Sequence, residues 1–177
     1  HTTNFQTYKA RKPWLQLLMI SPTFTGKIIE SFEEELKAYT ILTAFIPMLM
    51  DTGGNAGSQS SVSVIRALSL NDIEFKDIFK VMWKESKVAI LCSLTLALCN
   101  FLKLLIIDRI PLLVSLTVCL TLIVTIILAK LIGCTLPMIA KKLKFDPAVM
   151  ASPFITTIVD ACSLLIYFYI AKLLLGI

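Results

Sequence analysis

The chain has 177 residues, 56% of them hydrophobic and only 16% charged, with a mean hydropathy of +0.81. Soluble domains carry about a quarter charged residues, so composition alone excludes an ordinary soluble domain and implies a membrane protein. The net charge of +5 does not point to nucleic acid, because the basic residues collect at the ends of apolar runs, as membrane topology predicts.

Residues 1–12 are polar and end in Lys9, Arg11 and Lys12, so no cleavable signal peptide is expected. The first span is read from Trp14 to Phe32, a weak one interrupted by Pro22 and Lys27. A kink is expected at Pro22, with Lys27 snorkelling outward. Glu30, Glu33, Glu34 and Glu35 then form an acidic cluster, read as a solvated loop.

The second span starts near Lys37 and runs through Pro47 into MLMDTGGNAGSQSSVSVIRA, ending near Leu70. Gly53 and Gly57, continued by Ser61, make a small-residue face that permits close helix approach. Asn55, Ser58, Gln59 and Ser60 supply oxygens, and a glycine-rich break is expected to free backbone carbonyls toward a cavity. A tight helix crossing, or a polar loop at the cytoplasmic interface, explains the same residues more simply. No Gly-Lys-Ser/Thr follows, so this is not a phosphate loop. Asp51 either draws cations to the inner mouth or sits in interfacial water.

Residues 71–87, with Lys76, Lys80, Lys84 and Lys87, read as a separate amphipathic helix lying against anionic headgroups. The third span, Val88 to Ile107, is the cleanest, and Asp108-Arg109-Ile110-Pro111 turns the chain. The fourth runs from Pro111 to about Ala140 and is long enough to tilt. Asp146-Pro147 starts the fifth, with the acid at the N-cap and proline at the first helical position. Apolar runs are continuous rather than alternating, so the fold class is all-α membrane protein, not a barrel.

Asp160 is the sharpest single signal, since a carboxylate in an apolar span costs several kcal/mol and defaults to function. Ser152, Thr156 and Asp160 recur every four residues and share one helical stripe. The stripe faces a cation path, or Asp160 pairs with Lys130, the one lysine inside the fourth span. Oxygen donors of this kind suit Mg²⁺, Ca²⁺ or Na⁺. One carboxylate is no cage, but two copies in a symmetric dimer can bracket a cation that keeps most of its water. The five cysteines, Cys92, Cys99, Cys119, Cys134 and Cys162, all lie in apolar segments without CxxC or His pairing, and read as small buried hydrophobes.

Eleven of the seventeen basic residues fall on one side: Lys9, Arg11, Lys12, Arg66, the four lysines of 76–87, and Lys141, Lys142 and Lys144. The positive-inside rule then puts the N-terminus in the cytoplasm and the C-terminus outside the cell (inner) membrane.

PMLMDTGGNAGSQSSVSVIRALSLNDI resembles the signature of MgtE-type magnesium channels and transporters. RKPWLQLL resembles the start of that family's first membrane helix, and KKLKFDPAVMASPFITTIVDACSLLIYF resembles its fifth. The resemblance spans essentially the whole chain. It implies five membrane helices per chain, a two-fold homodimer in the lipid bilayer, and a pore at the interface lined by the second and fifth helices. It implies that Asp160 holds a largely hydrated Mg²⁺, which is both bound and transported, that Asp146 binds further Mg²⁺ at the cytoplasmic mouth, and that Ser152 and Thr156 lie along the pore wall. Asn55, Gly53, Gly54, Gln59 and Asp51 join the candidate lining. Met50-Asp51-Thr52 departs from the small neutral residue usual before the GGN segment, and the extra acid bears on ion preference.

Residues 1–177 are thus expected to be a transmembrane cation-channel domain, with the family's acidic N-terminal and regulatory cytosolic domains absent and no nucleotide site. A magnesium channel is the first reading. A proton- or Na⁺-coupled divalent transporter, or a dimeric membrane anchor without transport, are the alternatives. No His, Ser-elbow or metal-ligand set supports an enzyme.

Overall fold

In the computed structural model, residues 3–177 are described, and the side chains of residues 149–152 lie outside that description. The described residues form a helical bundle without strands. The helices are α1 (Asn4–Ser31), α2 (Glu33–Ala38), α3 (Ile46–Ser69), α4 (Ile78–Ile106), α5 (Leu112–Lys142) and α6 (Pro147–Leu175). Three segments are long and apolar enough to cross a membrane: Phe75–Ile106, Leu112–Lys142 and Pro153–Leu175. Helices α1 and α3 have the length without the same apolar composition.

Helix α5 is the hub. It packs against α3, α4 and α6, while α1 packs against α6. Its apolar and hydroxyl-bearing residues are buried around the helix, among them Val118, Thr121, Ile126, Ala129 and Cys134. Two of these hydroxyls bond back along the helix: Thr117 Oγ1 donates to Leu113 O, and Thr121 Oγ1 to Thr117 O. The main core gathers Leu42, Leu49, Leu122, Ile126, Tyr167 and Phe168. Within it, the Tyr167 hydroxyl donates to the Leu42 carbonyl at 2.6 Å.

Four sequence expectations are corrected. Helix α1 begins at Asn4, not near Trp14, because Thr3 and Gln6 close a capping box ahead of the polar turns. Pro13 and Pro22 lie inside α1 without ending it. The second segment is not one helix from Lys37: α2 stops at Ala38, a 3₁₀ stretch spans Thr40–Phe45, and α3 starts at Ile46 with Pro47 in its first turn. Proline is tolerated there because its missing N–H would have had no partner. The glycine-rich break does not form, since α3 is continuous through Gly53, Gly54 and Gly57, and its interior carbonyls stay within the helix. Finally, residues 78–87 are no separate amphipathic helix but the first turns of α4.

The glycines of α3 are tolerated because tertiary packing uses them. A Cβ on Gly53 would come within 2.8 Å of Thr125 Cγ2 and 2.9 Å of Val159 Cγ1. One on Gly133 of α5 would collide with the Gly57 carbonyl. The helix interior therefore gives up about 1 kcal/mol of propensity per glycine in exchange for backbone contact between α3 and α5. This is the tight crossing that the sequence offered as its simpler explanation.

Candidate functional site

Helix α3 divides its polar residues between two sides. Gly53 and Gly57 are buried within the chain against α5 and α6. Asp51, Asn55, Ser58 and Gln59 are exposed on the other side, and Gly54 has open space around it. Of the candidate pore residues on α3, then, Gly53 lies in the chain's own interior and Gly54, Asp51, Asn55 and Gln59 lie outside it.

Asp160 is half-buried on α6, one helical turn beyond the half-buried Thr156. Helices α3 and α6 pack together, and the Asp51 carboxylate acts electrostatically on Asp160. Neither is in a salt bridge among the described residues. No group of three or more His, Cys, Asp or Glu side chains that could cage a metal occurs among the described residues either. Ser152, the third member of the α6 stripe, lies outside the described side chains. Asp146 caps α6, accepting the Ala148 N–H at 3.0 Å.

Lys130 does not pair with Asp160. The residue is 3% exposed, and its ammonium donates to Gln59 Oε1 at 2.8 Å. Both line a groove of about 620 Å³ between α3, α4 and α5, shared with Thr52, Asn55 and Thr95. Gln59 is thus held on the α4–α5 side of α3, away from Asp160. Sequence reasoning missed two further contacts that fix α3: Ser60 Oγ donates to Glu85 Oε2 at 2.7 Å, and Lys141 Nζ to the Leu68 carbonyl at 2.8 Å. It also missed the hydroxyl pair Thr157–Ser21, 2.8 Å, which ties α6 to α1.

A bundle this apolar, with three helices long enough to cross a membrane, defines an integral membrane protein. A family model described as a divalent cation transporter, MgtE, matches residues 46–170. The magnesium transporter MgtE of Thermus thermophilus is 38% identical over 166 residues, 94% of this chain and 36% of the relative. The magnesium transporters MgtE of Bacillus subtilis, 38% identical over 91% of the chain, and of Enterococcus faecalis, 33% over 92%, are similar across the same extent. The chain belongs to the MgtE family. It spans about a third of the length of these curated relatives, 36% in each case.

Proposed function

We propose that this chain forms the ion path of a magnesium channel. In this reading α1, α3, α4, α5 and α6 cross the cell membrane, two chains meet about a two-fold axis, and partly hydrated Mg²⁺ passes between them. The N-terminus faces the cytoplasm and the C-terminus the outside. Asp160 and its symmetry mate bracket the ion, Asp51 raises the local cation concentration, and Thr156, Ser152 and Gly54 line the wall. Asp146 offers a further cation contact at the cytoplasmic mouth, beyond its role as a cap.

The observation that carries the reading is Asp160, half-buried in an apolar helix and without a basic neighbour in salt-bridge range among the described residues, with the Asp51 carboxylate acting on it electrostatically. Two carboxylates at membrane depth repel each other and lose hydration. A divalent cation relieves both penalties at once. Because Mg²⁺ sheds water reluctantly, it needs a pair of carboxylates acting through its hydration shell rather than a protein cage. The names of the relatives point to the same ion. The membrane potential suffices as driving force, since two charges crossing 100 mV gain about 4.6 kcal/mol.

The test is Mg²⁺ entry into vesicles carrying the full chain, with pH, Na⁺ and potential varied separately. Entry that follows the potential and the Mg²⁺ gradient alone supports a channel. Entry that requires a proton or Na⁺ gradient supports coupled transport instead, and no divalent entry under any gradient leaves a membrane anchor.

A further inference from the structure

The α3–α4 corner holds a second pocket, of about 470 Å³, remote from Asp160. Three acids (Asp72, Asp77, Glu85) and three lysines (Lys80, Lys84, Lys87) line it. No acid among them lies within ion-pair distance of any of these lysines. Two of the acids have local partners: Glu85 accepts the Ser60 hydroxyl, and Asp77 accepts the Glu74 N–H at 2.9 Å. Lys87 stands over the Trp83 ring at 5.1 Å. Asp72, Lys80 and Lys84 are left as charges of both signs facing one cavity.

The pocket lies at the N-terminal end of an apolar helix long enough to cross a membrane. Phe79 and Trp83 on the first turns of α4 are 80% and 67% exposed, an aromatic pair at the edge of an apolar span, as at membrane interfaces. Beyond them the outer face of α4 is apolar and open, with Leu91, Leu94 and Leu98 all exposed. A pocket with opposite charges that do not neutralise each other fits a ligand carrying both signs. A face of leucines leading away from it fits hydrocarbon chains.

The geometry points to a site for a zwitterionic phospholipid with a primary ammonium, of the phosphatidylethanolamine class. Its phosphodiester is met by Lys80 and Lys84, its ammonium donates to Asp72, and its acyl chains lie along Leu91, Leu94 and Leu98. A purely anionic lipid is disfavoured by the three acids. A choline headgroup gives no N–H to the carboxylate. The inference needs only that α4 crosses a membrane, so it and the ion path stand or fall separately.

The experiment uses the full chain bearing Trp14→Phe, which leaves Trp83 as the sole tryptophan. Its fluorescence is read in phosphatidylcholine vesicles containing brominated phosphatidylethanolamine, phosphatidylglycerol or phosphatidylcholine, since bromine quenches a tryptophan it touches. Brominated phosphatidylethanolamine is expected to compete about threefold or better over phosphatidylcholine, roughly 0.6 kcal/mol. Asp72→Asn and Lys84→Gln should each reduce that preference toward unity, and Lys84→Arg should retain it. Equal quenching by all three lipids, strongest quenching by phosphatidylglycerol, or a preference untouched by both substitutions would each overturn the site. These side chains are exposed, so the variants keep the fold; unaltered unfolding temperatures check that directly.

Discussion

The Lys130 ammonium on α5 donates to Gln59 Oε1 on α3 at 2.8 Å, across 71 positions of sequence. That bond takes the one lysine inside the fourth span away from Asp160 and leaves the α6 acid without a counter-charge from α5. It also predicts an asymmetry. Gln59→Leu strands a buried ammonium, whereas Lys130→Met removes the charge and leaves an amide that opens on the groove. Losing a partner from a buried charge costs about 3–5 kcal/mol, and losing one from an accessible amide costs about 1 kcal/mol. Thermal unfolding in detergent should therefore show Gln59→Leu well below Lys130→Met. The reverse order would mean that Lys130 has another partner.

The glycines of α3 and α5 should separate cleanly by position. Gly133→Ala drives a methyl into the Gly57 carbonyl, a backbone atom that cannot swing aside. Overpacking of this kind costs about 1–3 kcal/mol or more. Gly54→Ala meets nothing within 4 Å and gains helix propensity, about 1 kcal/mol. Unfolding temperatures should fall for the first and hold or rise for the second. If Gly54→Ala nevertheless slows Mg²⁺ entry, its face bears on the ion path.

At the far end of the bundle, Glu35 accepts from Lys172 Nζ at 2.6 Å, and that hydrogen bond holds the Glu35 carboxyl below its ordinary value. A lowered folded-state value means that the contribution is complete above the ordinary glutamate range, about pH 4.3, and fades as pH falls through the lower folded value. Wild-type stability should drop in that acid window more than that of Glu35→Gln. Parallel pH curves for the two proteins would remove Glu35 from the account.

The buried Tyr167 hydroxyl holds the Leu42 carbonyl, which fixes the 3₁₀ stretch before α3. Tyr167→Phe should cost about 1–3 kcal/mol, the penalty of a buried carbonyl left unsatisfied. Faster backbone amide exchange confined to residues 39–45 would locate the loss there.

The sequence is legible where composition alone decides structure. Helices α4, α5 and α6 follow from long apolar runs, and the cap at Asp146 follows from its neighbour Pro147. The early start of α1 was also legible, as the Thr3–Gln6 capping box, but the polar residues after it outweighed that signal. The continuity of α3 was not. Two adjacent glycines read locally as a break, and the packing that uses α3's small residues comes from distant positions: Thr125 and Val159 against Gly53, and Gly133 against Gly57. The partner of Lys130 was hidden for the same reason: Asp160 and Gln59 both lie at plausible depth, and the bundle's packing, not helical spacing, chooses between them. The action of Asp51 on Asp160 likewise belongs to the α3–α6 contact rather than to either helix's pattern.

The proposed role of Asp160 is to hold the ion in transit. Its most direct measurement is Mg²⁺ entry into vesicles containing the full chain with Asp160→Ala, compared with wild type at equal amounts of folded, equally associated protein. Entry below about a tenth of wild type is expected, a rise of at least about 1.4 kcal/mol in the barrier to passage. Undiminished entry through Asp160→Ala would contradict it.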